Sequence, residues 1–228
     1  MKLVSRDLPC LIEWKENQIE VLVVESPKFF SEIVCQIRKG CDGEDTDWIL
    51  SKEGNPVNMS KKALMIIDPF FMDLNQKKLL NALYSDIENM TLASERVLQW
   101  NEFVSELEKQ IDFLTQDVEY SLDYDMEITV RDFLKLMNLR FRPEGETFLE
   151  YLSDVIAVFS EVLTIDLFIF VNLFSYLDKE ERRQLYEVAN YKKVSLLILE
   201  AQDRYEYLRE EHVVIIDKDL CVIEPSVL

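Results

Sequence analysis

Residues 21–24, 63–67, 167–171 and 194–199 form short runs that are apolar at nearly every position. Strands that bury both faces need helices on each side of a largely parallel sheet, so these runs restrict the fold more than any other feature. Helical patterns follow most of them. After 21–24 comes a polar turn, Glu25, Ser26 and Pro27, and then Phe29, Phe30, Ile33, Val34 and Ile37 at helical spacing. Runs 213–216 and 221–223, joined by Asp217-Lys218-Asp219, predict a closing hairpin. A chain of 228 residues that is 48% hydrophobic can build one substantial core, or a core and an extension.

The extension is predicted from about residue 92 to about residue 163. Val97, Trp100, Val104, Leu107, Ile111, Leu114 and Val118 alternate steps of three and four, an a/d seam. Phe148, Leu152, Val155, Phe159 and Val162 repeat the pattern, and a short helix is expected over 130–136 between them. Two seamed helices most simply pack on each other. The reading is therefore an α/β head from residues 1–91 and 164–228, with a helical leg, 92–163, inserted in it.

A strand running through a tight turn into a helix is a common phosphate cradle, but the cradle needs glycine for its bare backbone. The turn at 25–27 has none, and the four glycines, Gly40, Gly43, Gly54 and Gly145, build no phosphate-loop motif. Acids that could hold Mg²⁺ end the runs at Asp68 and Glu200, but simple strand-end residues facing water are the favoured reading, and without a phosphate loop neither makes an ATPase. The run at 167–171 ends in the neutral Asn172. His212 is the lone histidine and is expected on an edge strand; it cannot supply a metal cluster, and no elbow-type serine or cysteine points to a triad built on it. No catalytic residue is assigned. Four scattered cysteines, no signal-peptide pattern at MKLVSRDLPC and no bilayer-length apolar run predict a reduced, soluble, cytoplasmic protein.

Charge is uneven. The net charge of −19 opposes nucleic acid unless bases are gathered locally. Between Glu106 and Asp132, nine acids face two bases, and in "DVEYSLDYDMEIT" Asp123, Asp125 and Glu127 alternate. In a turning backbone this spacing sets carboxylates on one side, suited to the irregular oxygen shell of calcium more than to magnesium. A solvated acidic loop is the competing reading. Basic residues come in pairs, among them Arg182-Arg183 and Lys192-Lys193. Lys61-Lys62 precedes the 63–67 strand, Lys77-Lys78 opens the next helix, and Lys52 lies upstream. These five lysines are the candidate contacts to a duplex backbone, because no aromatic platform accompanies them for base reading.

The stretches VLVVESPKFFSEIV, DPFFMDLNQKKLLNALYSDIE, SLDYDMEITVRDFLKLM, LFIFVNLFSYLDKEE and VSLLILEAQDRYEYLREEHVVIID occur in that order. Through them the chain resembles the small CRISPR-associated spacer-acquisition protein of type II-A systems. The resemblance implies a degenerate, glycine-free P-loop-like α/β head with an α-helical leg and no nucleotide. It implies a homotetrameric ring with Ca²⁺ in acidic sites and a basic inner wall, which binds double-stranded DNA ends without cutting them. It also implies partnership with the CRISPR integrase and the RNA-guided nuclease. By position, the resemblance puts calcium ligands at Glu119, Asp123, Asp125 and Glu127 and DNA contacts at Lys52, Lys61, Lys62, Lys77 and Lys78. Two other classes stay open: an acidic protein–protein scaffold without DNA contact, and a divergent NTPase using Asp68 or Glu200.

Overall fold

A computed structural model describes residues 1–125, 127–142, 145–204 and 206–225. Two compact units divide the chain, Met1–Asp73 with Pro143–Leu228 and Leu74–Arg142. The division differs from the head and leg read from the seams: the 148–162 helix falls in the first unit, and the 77–92 helix in the second.

The first unit opens with β1 (Lys2–Val4), β2 (Ile12–Glu13) and β3 (Ile19–Val24), followed by α1 (Pro27–Asp42). Then come β4 (Ile49–Lys52), β5 (Asn55–Pro56), the short α2 (Met59–Lys62) and β6 (Ala63–Ile66). Five strands, in the order β9 (Glu211–Ile216), β3, β8 (Ser195–Glu200), β7 (Leu167–Val171) and β6, lie parallel, with β10 (Val222–Ile223) antiparallel on β9 at the edge. The apolar runs are thus the interior of a mainly parallel sheet, and the hairpin appears with Val222 opposite Ile216. A second, antiparallel sheet, β2-β1-β4-β5, has strands of two to four residues, too short for any periodicity to show in the sequence.

Alternation along the central strands builds two apolar layers. Leu22, Val24, Leu197, Leu199, Val214 and Ile216 join Ile33 and Ile37 of α1 and Leu3, Trp14 and Leu50 around the small sheet. Trp14 Nε1 donates to the Leu196 carbonyl at 2.7 Å, tying that layer to the central sheet. α1 begins with Pro27 in its first turn and stops at Gly43, whose φ of 81° is left-handed. Within it, a Cβ on Gly40 would come 2.6 Å from Met59 Sδ, so this glycine lets α2 approach. On the other side, Leu185, Tyr186 and Ala189 of a later helix, 179–191, pack toward β8, and the 148–162 helix packs on that helix in turn.

In the second unit, α3 (Lys77–Leu92), α4 (Arg96–Thr115) and α5 (Val130–Leu136) associate, α3 touching both others. The Trp100, Phe103 and Phe133 rings lie 5.0–5.8 Å apart. Asn75 brackets Phe141, accepting its N–H at 2.8 Å and donating to its carbonyl at 3.1 Å. The second seamed helix, α6 (Phe148–Val162), starts at a Thr147–Glu150 capping box in the first unit. There Leu152, Val155, Ile156 and Phe159 are buried, so its seam is an ordinary core stripe. After it come β7 (Leu167–Val171), α7 (Lys179–Tyr191), β8 (Ser195–Glu200), β9 (Glu211–Ile216) and β10 (Val222–Ile223). No helix among the described residues is long and apolar enough to cross a membrane.

Candidate functional site

Two of the five candidate lysines meet on one carboxylate at the N-terminal edge of the central sheet, and a third, Lys61, neighbours one of them in sequence. There the ladder extends one row beyond the strands: Asp166 donates its N–H to the Lys62 carbonyl at 2.9 Å and accepts from Ser195 N–H at 2.8 Å. Its carboxylate receives two cations, Lys62 Nζ at 3.2 Å and Lys52 Nζ at 3.4 Å. Lys62 also donates to the Thr164 carbonyl at 3.0 Å. Lys61 is exposed beside them. Asp166 went unnoticed in the sequence because a lone acid before a strand has no periodic signal, and its partners lie about a hundred residues away. Lys77 and Lys78 belong to the second unit and stand exposed in the first turn of α3. That turn holds no acid, so two cations oppose the helix dipole where an anion would be favoured.

The acidic turn follows α4, whose helix ends at Thr115 short of the Val118 read into its seam. Glu119, Asp123, Asp125 and Glu127 are all exposed. Asp125 Oδ1 accepts the Glu127 N–H at 3.1 Å, and Asp112 Oδ1 receives the Tyr124 hydroxyl at 3.1 Å. Just beyond, Thr129 caps α5, and its hydroxyl on Asp132 holds that carboxyl below its usual value. Among the described residues no three Asp, Glu, His or Cys side chains gather closely enough to hold an ion. The four carboxylates of one chain therefore do not by themselves make a calcium shell.

The glycine-free turn sits at the C-terminal end of β3. From β3 the chain crosses to β6 at the far side, and from β8 it passes to β9 on the opposite flank, so this end is the switch point where α/β sheets bind ligands. Its backbone is poor in donors: Glu25 N–H bonds to the Ile216 carbonyl at 2.9 Å, and Pro27 has no N–H.

The strand-end acids part company. Asp68 is exposed and caps a turn, accepting Phe70 N–H at 3.1 Å. Glu200 corrects the expectation of a water-facing acid: it is 1% exposed and accepts Phe174 N–H at 2.8 Å. Burial pushes its carboxyl up to about 7, against the pull of that N–H and of Arg204. Asn172, left-handed at φ 55°, accepts Ala201 N–H at 3.3 Å and so joins the ends of β7 and β8. A buried pair was missed: Arg182 Nη1 lies 2.8 Å from Glu211 Oε1, which also receives the Tyr186 hydroxyl at 2.6 Å. His212 stands in β9, second from the sheet's edge, with Nδ1 2.8 Å from buried Glu20.

These features define a mixed α/β protein with parallel and antiparallel sheets, lysines gathered at one sheet edge, and an acidic turn in a helical unit. The family model described as CRISPR-associated protein (Cas_Csn2) matches residues 41–220, and the chain belongs to that family. It is 27% identical over 161 residues to the CRISPR-associated protein Csn2 of Streptococcus agalactiae, covering 70% of this chain and 71% of that one. To the CRISPR-associated protein Csn2 of Enterococcus faecalis it is 25% identical over 157 residues, covering 65% and 69%.

Proposed function

We propose that this protein is a non-catalytic, calcium-dependent homotetrameric ring that binds the ends of double-stranded DNA. In this reading it acts in spacer acquisition beside the CRISPR integrase and the RNA-guided nuclease, in the cytoplasm. Membership of the Cas_Csn2 family carries the proposal. The structure supports it through Lys52, Lys61 and Lys62 at one edge and Lys77 and Lys78 at a helix start, where dipole and cations together attract phosphate. The head is read as a degenerate P-loop-like fold, because a strand–turn–helix stands at the switch point without glycine. Calcium would be held by Glu119, Asp123, Asp125 and Glu127 once backbone carbonyls or a second copy complete the oxygens they lack alone.

The exposed apolar residues of α4 favour one rival, an acidic scaffold that binds protein alone. A mobility-shift titration with linear and closed circular duplex of equal length, in calcium and in chelator, separates the two. The ring predicts a shift with linear duplex only, abolished by chelator. No shift at low salt with calcium present refutes DNA binding and leaves the scaffold. The divergent NTPase predicts ATP hydrolysis above a D68A control, and none is expected.

A further inference from the structure

On the reading of this protein as a duplex binder, we infer that the DNA backbone crosses the N-terminal edge of the central sheet, with Lys193 as an added phosphate contact. The usual ligand edge of a parallel sheet is the opposite one. Charge separates the two edges. Within three residues before the five parallel strands stand Lys61, Lys62, Lys192, Lys193 and Arg209, against Glu16, Asp166 and Glu210. Within three residues after them stand Glu25, Asp68, Asp203, Asp217 and Asp219, against Lys218 alone. In a chain of net charge −19, the excess of cations at the starts of the strands marks the one sheet edge that does not repel phosphate.

The register places the lysines. Ala63, Leu167 and Ser195 are level across β6, β7 and β8, so Lys62 shares a row with Val194, and Lys193 lies one residue beyond that row, two strands or about 10 Å to the side. One DNA strand carries a phosphate every ~3.4 Å of axis, so this spacing corresponds to about three phosphates. Not every lysine there is equally available. Lys52 and Lys62 share Asp166, and Lys192 bonds to Glu161. Lys61 and Lys193 are exposed and pair with no described carboxylate.

Lys193 also sits where a lysine is locally unfavourable. α7 ends in a Schellman turn, with Lys193 N–H on the Asn190 carbonyl at 3.1 Å and Val194 N–H on the Ala189 carbonyl at 3.0 Å. That turn needs a left-handed residue, normally glycine, and Lys193 takes it at φ 56°. Lys193 is one of seven described non-glycine residues at positive φ, so its conformation frees the position for a glycine test rather than naming a ligand.

Substitution by glycine therefore separates folding from binding. The test is fluorescence anisotropy of a labelled linear duplex of mixed sequence, with the full chain in calcium, across a salt series. K193G should melt at or above the native temperature yet bind several-fold more weakly, with the log K against log salt slope shallower by about one. K61E/K193E should lose tenfold or more, and K218E, at the other edge, should bind like the native protein. The inference is overturned if K193G binds as tightly as the native chain, or if K218E weakens binding as much as K61E/K193E. If the native protein binds no duplex at all, the underlying reading fails before any variant is compared.

Discussion

Every residue of β3 and β7 and all but the first of β8 is buried, whereas α4 runs for 20 residues without burying one. The first unit covers both faces of its sheet from its own sequence. In the second unit, Val97, Trp100, Val104, Leu107 and Ile111 form a stripe that is only half-buried, and Leu98, Phe113 and Leu114 are exposed. An alternation of three and four thus has two outcomes: in α6 it is core, and in α4 it is a half-buried stripe. Periodicity reports which residues share a face but not how much partner surface that face meets.

Perturbing the core should break this contrast most sharply. Phe168→Ala, at a fully buried position in β7, should cost about 3–5 kcal/mol in chemical denaturation. Arg182→Ala should cost about 3 kcal/mol, since it leaves Glu211 and the Tyr186 hydroxyl in the interior without their cation. A Glu211→Gln/Arg182→Met pair that recovers most of that loss would locate the cost in the stranded charge.

Glu200 gives a pH signature to the first unit. Its folded value, about 7, lies above its ordinary 4.5, so the folded chain holds a proton that the unfolded chain has released between those values. Its stabilising contribution is complete below about 4.5 and is lost as pH rises through about 7. Denaturation midpoints of native protein and Glu200→Gln should converge near pH 5, with the variant ahead at pH 8 by at most about 3 kcal/mol. Equal midpoints at pH 8 would mean that the carboxylate is solvated there. The smallest effect is expected in α4: Leu114→Ala, 75% exposed, should change stability by no more than ~0.5 kcal/mol. The same variant should lower the apparent mass in size-exclusion chromatography if α4 is an assembly surface, and leave it unchanged if it is not.

Much of the first unit was legible because its strands are short, apolar on both faces and bounded by turns. Their predicted limits lie within two residues of those observed, and the 130–136 helix coincides with α5. The small antiparallel sheet was not legible, since pairs such as Lys2 with Glu13 and with Ser51 depend on neighbours brought together by folding. The lysines were recognisable as pairs, but their meeting on Asp166 was not. Glu200 was read as a water-facing strand end because nothing in SLLILE records the 3₁₀ turn at Leu173–Ser175 that bonds to it.

The sequence alone determined the buried parallel strands, the absence of a glycine cradle and the local excess of acid over base in the 106–132 region, because these depend on local periodicity and composition. Tertiary structure alone decided which seam became core, which edge of the sheet became basic, and whether an acid was solvated or buried. Each of those outcomes is fixed by what the chain brings alongside from far away in sequence, where no period or spacing can record it.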